Sequence, residues 1–208
     1  MELIRRDLQR SAAVPVRLAA EIARVTSVAQ GIWADARAKD DVAYFLPALS
    51  EVVRLSREKG AALVAAGFGG DAYDALLDDY EPGATAATIG AMFDRMRPRL
   101  VALREAVLGA SDQPQPLKGT FPREAQVALS RKMAEAFGYD WRRGRLDLAV
   151  HPFSSGSGND VRITTRVAEA DPLNCIYSTI HETGHATYEQ AVDQAYLLTP
   201  IGRGASRS

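Results

Sequence analysis

One stretch of twenty residues, 171–190, constrains the fold more strongly than any other part of the sequence. It reads DPLNCIYSTIHETGHATYEQ. Asp171 is a favourable N-cap, and Pro172 suits the first helical position, where no backbone N–H is needed. Apolar side chains then recur at helical spacing, at Leu173, Ile176, Tyr177 and Ile180. The pattern predicts an amphipathic helix over residues 171–193.

The same helix carries the pattern HExxH, formed by His181, Glu182 and His185. Residues four apart lie one turn apart on one helix face, so the two imidazoles can bind one metal ion. Glu182 lies toward the same side and can take a proton from a water molecule activated there. This spacing is typical of zinc peptidases. The chain has only three histidines and two of them fall in the motif, which argues against the alternative of an ordinary hydrogen-bonded pair.

Gly184 lies between the two histidines of the motif. Glycine inside a helix costs roughly 1 kcal/mol relative to alanine. The cost indicates close packing or substrate approach at this point, and the alternative is a tolerated helix defect.

Composition limits the class of protein. The 208 residues include 25 basic and 26 acidic side chains, for a net charge of −1, and this balance favours neither nucleic acid nor an anionic membrane as partner. The single cysteine, Cys175, excludes an internal disulfide and suits a reducing compartment. We expect Cys175 to be a small core residue rather than a metal ligand. Because the first residues include no apolar run of signal or membrane length, we expect a soluble, cytoplasmic protein.

Most of the chain reads as helix. Residues 1–138 form a helical region in which apolar residues step by three and four, with separate helices expected at 71–80, 85–108 and 122–137. Alanine-rich helices with few β-branched runs predict a mostly α, multi-helix fold. We expect residues 1–208 to form a single, incomplete domain.

One segment departs from the helical pattern. Residues 145–153 and 160–167 alternate apolar and polar side chains, and 154–158 is rich in glycine and serine. The segment 145–167 therefore predicts a β-hairpin just before the HExxH helix. Its exposed edge could align a peptide backbone as an added strand, or it could be a purely structural flap.

Three motifs in order resemble those of the carboxypeptidase Taq family of metallocarboxypeptidases: HPF at 151–153, DVRIT at 160–164 and HETGH at 181–185. The resemblance implies a nearly all-helical, zincin-like domain with a deep groove and a small sheet beside the metal. It implies a hydrolase that removes C-terminal amino acids from peptides with broad specificity. It further implies Zn²⁺ or Co²⁺ as cofactor, a cytoplasmic homodimer, and peptide substrates.

The resemblance also assigns site residues. His181 and His185 match the metal ligands, and Glu182 matches the catalytic base. The positions that match the substrate groove are His151, Pro152, Phe153, Asp160, Arg162 and Thr164. Arg162 could instead pair with Asp160 in a structural role.

A departure from the family pattern concerns the third metal ligand. In the family it is a carboxylate in a His-Glu-Ser segment after HExxH, and no such segment follows here. We therefore expect an internal fragment of a longer enzyme, with weak zinc binding and little activity. Glu189 and His151 are candidate replacements, but helical rise places the Cα of Glu189 about 6 Å beyond His185, which favours a surface role.

Two other classes of function remain open from the residues alone. One is a non-catalytic helical interaction domain that retains the motif as a relic. The other is an endopeptidase of the HExxH type. Metal content separates the first from an enzyme, and a substrate with a blocked C-terminus separates the second from a carboxypeptidase.

Overall fold

The computed structural model of the protein describes residues 1–202, and helices dominate this part of the chain. The α-helices are α1 Glu2–Ala13, α2 Val16–Lys39, α3 Val42–Ala65, α4 Ala72–Leu77, α5 Ala86–Leu108, α6 Arg123–Ala136 and α7 Pro172–Ala191. The strands are β1 Leu146–Leu148, β2 Ser154–Ser157 and β3 Asp160–Thr165. The mostly α fold with a small sheet is confirmed. The chain divides into two compact units, Met1–Ser111 and a second unit that begins at Asp112.

Helix starts follow local capping chemistry. Asp71 caps α4 by accepting a hydrogen bond from the backbone N–H of Asp74. Thr85 and Thr88 form a reciprocal capping box at the start of α5. These caps satisfy backbone donors that have no partner within the helix. The predictions for 71–80, 85–108, 122–137 and 171–193 match observed helices to within a few residues.

A network of charged side chains joins α1 and α3 to the two residues that follow α4, Asp78 and Asp79. Arg10 is only 9% exposed; it forms an ion pair with Asp78 at 2.8 Å and donates a hydrogen bond to Asp79 at 2.6 Å. Lys59 lies 2.5 Å from Asp79, and Arg6 pairs with Asp78. Burial opposes the charge on Asp79, but the hydrogen bonds from Lys59 and Arg10 outweigh it and lower the pKa of that carboxyl. Paired charges therefore link these helices.

The core of the second unit forms where α6, α7 and the sheet meet. Its buried members are Ala134, Tyr139, Val161, Ile163 and Ala186. The Tyr139 hydroxyl donates to the carbonyl oxygen of Val161 at 2.5 Å, and burial raises the pKa of this phenol to about 12. Gly144 faces the same hydroxyl, and a Cβ there would lie 1.9 Å from the Val161 carbonyl oxygen. Glycine is therefore required at this close approach.

The sheet differs from the predicted hairpin over 145–167. The strand order is β1-β3-β2, with β1 parallel and β2 antiparallel to β3. Residues 154–157, predicted as turn, form strand β2, so the hairpin consists of β2 and β3. The prediction that 145–153 pairs antiparallel with 160–167 is wrong. Local alternation does not fix pairing partners, and serine and glycine are tolerated in β2 because it lies at the edge of the sheet.

Candidate metal centre

Helix α7 places the two motif histidines on one face. Their Nε2 atoms lie 3.2 Å apart, and the ring planes are nearly perpendicular, at 81°. Tetrahedral zinc with Zn–N bonds of about 2.0–2.1 Å places two ligand nitrogens roughly 3.4 Å apart. The separation of His181 and His185 therefore fits two ligands of one metal ion. His181 is exposed and His185 is half-buried.

Glu182 lies beside this pair but in a different environment. It is only 6% exposed. Among residues 1–202, no side chain or backbone group donates a hydrogen bond to its carboxylate and no cation pairs with it. A carboxylate whose lone pairs are not engaged by neighbouring donors is available to hold a proton.

A third ligand does not join the histidines within the described part of the chain. There, no group of three or more His, Cys, Asp and Glu side chains is arranged to hold a metal. Neither Glu189 nor His151 therefore completes a site among these residues. Asp193 caps the following turn by accepting from the Ala195 N–H at 2.8 Å. Cys175 is fully buried, as expected of a core residue.

Gly184 lies on the exposed face of α7 with the histidines. An added Cβ would meet no atom within 4 Å. The packing explanation for this glycine is thus wrong for the residues that the structure describes. Approach by a substrate stays a prediction.

The HPF and DVRIT segments are joined by a side-chain contact. Thr164 is 7% exposed, and its hydroxyl oxygen accepts from the Phe153 N–H at 2.8 Å and lies 3.2 Å from the Phe153 carbonyl oxygen. Thr164 therefore holds the main chain of Phe153, and a contact between Thr164 and substrate stays a prediction. Pro152 is buried, whereas His151 and Phe153 are exposed.

Asp160 and Arg162 form an ion pair on the exposed side of β3. The two nearest atoms, Nη2 and Oδ2, lie 2.7 Å apart, and a second hydrogen bond runs from Nε. The hydrogen bond from Arg162 lowers the pKa of Asp160. The structural pairing that the sequence left open is therefore present, and contact with substrate stays a prediction for both residues.

Comparison with known proteins identifies the family of this fold and site. The family model of carboxypeptidase Taq (M32) metallopeptidases matches residues 1–208. The chain belongs to this family.

Several M32 relatives are similar over nearly the whole chain. The thermostable carboxypeptidase 1 of Thermus thermophilus is 40% identical over 97% of this chain. Carboxypeptidase 1 of Bacillus subtilis is 34% identical over 99% of it. The crystal structure of an M32 carboxypeptidase from Deinococcus radiodurans superposes with a TM-score of 0.81 at 37% identity, over 99% of this chain. The chain spans 41% of the length of each of these relatives.

Membership in a metallopeptidase family implies a divalent metal cofactor, and the geometry of His181 and His185 fits one. No helix in the described ranges combines the length and apolarity needed to cross a membrane.

Sequence reasoning missed two residues of this M32 chain that support the site. Gln190, in the last turn of α7, is 6% exposed and exchanges hydrogen bonds with the backbone of Asp140. Arg143 donates to the Gln190 carbonyl oxygen at 3.0 Å. The sequence held one signal of these contacts. The last turn of α7 carries no basic residue to offset the partial negative charge of its carbonyl groups, so a cation from another segment is expected there.

Proposed function

We propose that this chain carries the metal-binding and general-base part of a metallocarboxypeptidase that removes C-terminal amino acids from peptides. The observation that carries the proposal is the 3.2 Å separation of the His181 and His185 Nε2 atoms, with the buried Glu182 between them in sequence. The names of the M32 relatives support the same activity.

The proposed roles follow from the chemistry of each side chain. His181 and His185 would hold the cation through their imidazole nitrogens. When bound, the cation supplies Lewis acidity for the scissile carbonyl and for a water molecule. Glu182 accepts a proton from that water and later donates it to the leaving amine. Its burial keeps bulk water from competing for the proton.

The proposed peptide-binding part is the sheet that packs against α7. Backbone groups at a sheet edge can align a peptide regardless of its side chains. Thr164 keeps the HPF segment in place through Phe153, and the exposed His151 and Phe153 are the groups of that segment that a peptide could touch. The Asp160–Arg162 pair keeps the outer face of β3 charged.

We propose zinc as the metal, with cobalt as a substitute, because both accept imidazole nitrogen in tetrahedral geometry. Among residues 1–202, no carboxylate joins the two histidines as a third ligand. We therefore expect this chain to bind zinc weakly and to turn over slowly. Equilibrium dialysis against zinc measures the affinity, and His181→Ala should abolish it. Tight stoichiometric binding would contradict the expectation and would mean that Glu189, His151 or a second copy supplies a ligand.

The function is tested by release of a C-terminal residue from an N-blocked dipeptide, using the metal-loaded chain. Glu182→Gln should keep the metal but lower turnover by a factor of about 100 or more, because an amide cannot accept the proton. Glu189→Gln, on the same helix, should resemble the parent.

The outcomes separate the other classes of function. Equal turnover of Glu182→Gln and the parent would remove Glu182 from the mechanism. Cleavage inside a peptide with an amidated C-terminus would indicate an endopeptidase. Absence of metal binding would favour the non-catalytic interaction domain.

We further propose a cytoplasmic homodimer. The buried, reduced Cys175 supports a reducing compartment. Large apolar side chains left exposed on α5, such as Phe93 and Leu103, support self-association. Sedimentation equilibrium tests the dimer.

A further inference from the structure

The turn between β2 and β3 lies against the C-terminal end of α7. A Cβ added to Gly158 would lie 2.5 Å from Leu197 and 3.2 Å from the carbonyl oxygen of Glu189. Asn159, the other turn residue, accepts from the Gln194 side chain at 3.0 Å. The turn thus touches both the last turn of α7 and the segment that follows it.

Arg143 connects these two places. Its Nη1 donates to the carbonyl oxygen of Gly158 at 3.0 Å and to that of Gln190 at 3.0 Å. Its Nε donates to Asp140 at 3.1 Å, which fixes the plane of the guanidinium group. One nitrogen therefore joins the hairpin turn to the helix end.

A cation is favourable at this helix end. The last carbonyl groups of a helix lack partners inside it and carry partial negative charge. No Lys or Arg occurs in the last turn of α7 itself. Gln190 adds to the connection, since its side-chain amide donates to the carbonyl oxygens of Asp140 at 3.1 Å and Arg143 at 3.3 Å.

The adjacent residue Arg142 provides an internal contrast. Its side chain is 91% exposed and pairs with Asp140, yet its described hydrogen bonds reach neither α7 nor the hairpin. Two neighbouring arginines thus share one carboxylate, but only Arg143 bridges two elements.

We propose that Arg143 is a positioning residue that couples the β2–β3 turn to the C-terminal end of the histidine helix, so that the β2–β3 hairpin of the proposed peptide-binding sheet and the helix that carries His181 and His185 move together. The importance of this coupling for catalysis rests on the proposed function. The coupling itself is a property of the fold and is measured without activity.

Hydrogen exchange followed by mass spectrometry on the full chain tests the coupling. Arg143→Ala should accelerate exchange on the order of tenfold in residues 154–162 and in the last turn of α7, since charge-assisted hydrogen bonds are lost. Arg142→Ala also removes a guanidinium group that pairs with Asp140, and it should leave exchange in both regions at the parent rate. Arg143→Lys keeps the charge but not the planar fork, so its rates should lie between the parent and Arg143→Ala.

Two results would overturn the coupling: equal exchange in Arg143→Ala and Arg142→Ala, or an equal acceleration across the whole second unit. If Arg143→Ala does not fold, Arg143→Lys decides, because local acceleration supports the coupling and parent-like exchange overturns it.

Kinetics on the metal-loaded chain test the consequence for the site. Arg143→Ala should raise KM for the dipeptide more than it lowers kcat, with zinc affinity unchanged, and Arg143→Lys should partly restore KM. A parent chain without metal-dependent release would contradict the proposed function, while the exchange data would still decide the coupling. If the parent is active and Arg143→Ala has an unchanged KM, the role of Arg143 is contradicted, whereas the proposed function is not.

Discussion

Helices α5 and α7 have similar sequence patterns but very different environments. Both exceed 19 residues and begin at a side-chain cap. Helix α7 buries seven residues, whereas α5 buries none. Large apolar side chains remain exposed along α5, at Met92, Phe93, Met96, Leu100, Val101, Leu103, Val107 and Leu108. Periodicity therefore predicts the helix and its apolar face, but not whether another element covers that face.

The face that α7 buries is not formed by large hydrophobic side chains. It presents small or polar groups to its neighbours, including Cys175, Thr179, Thr183 and Ala186. The Thr179 and Thr183 hydroxyls donate to carbonyl oxygens four residues earlier, at 2.8 and 2.7 Å, so burial leaves no donor unsatisfied. Small side chains allow the close approach of α6 and the sheet, and packing rather than hydrophobicity distinguishes the two helices.

The largest expected effect comes from placing one charge in each helix. Ala186→Asp buries a carboxylate in the core beside Ala134 and Ile163, so it should lower the free energy of unfolding of the second unit by at least about 4 kcal/mol. Ala102→Asp, on the exposed face of α5, should cost only about 0.7 kcal/mol through helix propensity. Urea unfolding by circular dichroism measures both. Similar losses for the two variants would remove the distinction between the helices.

The next largest effect concerns the core on which α7 packs. The pKa of Tyr139 is raised to about 12 by burial, so the unfolded chain loses this proton at lower pH than the folded chain. Protonated Tyr139 therefore contributes to the free energy of unfolding, and this contribution is fully present below about pH 10. It is lost as the pH rises toward 12, and its size is on the order of 2 kcal/mol. Tyr139→Phe should remove this pH dependence, whereas Tyr188→Phe, at an exposed position of α7, should keep it. Unfolding followed by Trp141 fluorescence in a Trp33→Phe background measures how the free energy of unfolding depends on pH. The same pH dependence in all three chains would refute the assignment of this effect to Tyr139.

A smaller effect uses one glycine from each helix. An added Cβ meets no atom within 4 Å at either Gly90 or Gly184. Alanine at each position should therefore raise the free energy of unfolding by roughly 0.5–1 kcal/mol. Only Gly184→Ala should also lower turnover, because its methyl group would occupy space beside the histidines that substrate needs. Destabilisation by Gly184→Ala would show that this face is packed rather than open. Unchanged kinetics would show that substrate does not need the space beside Gly184.

The smallest expected effect on stability comes from exposed leucines. Leu103→Gln in α5 and Leu173→Gln in α7 should each change the free energy of unfolding by no more than about 0.5 kcal/mol, since both side chains are already exposed. If α5 forms the proposed dimer contact, Leu103→Gln alone should weaken association in sedimentation equilibrium. Equal association of the two variants would exclude α5 as the contact.

Local chemistry in the sequence determined the helices and the histidine pair. Asp71, Thr85 and Asp171 cap helices through hydrogen bonds that span three residues. The spacing of His181 and His185 fixes their common face because it corresponds to one helical turn. These features depend on interactions within a single element, so the residues themselves were sufficient to predict them.

Tertiary structure decided everything that requires two distant segments to meet. Strand β1 pairs parallel to β3, and the Ser154–Ser157 segment becomes a strand, because β3 supplies their backbone partners. Thr164 is a buried support for Phe153, and Arg143 bridges the hairpin turn and the end of α7. The pattern of side chains along one segment does not specify which backbone groups of another segment it meets, since that choice depends on how the whole unit packs.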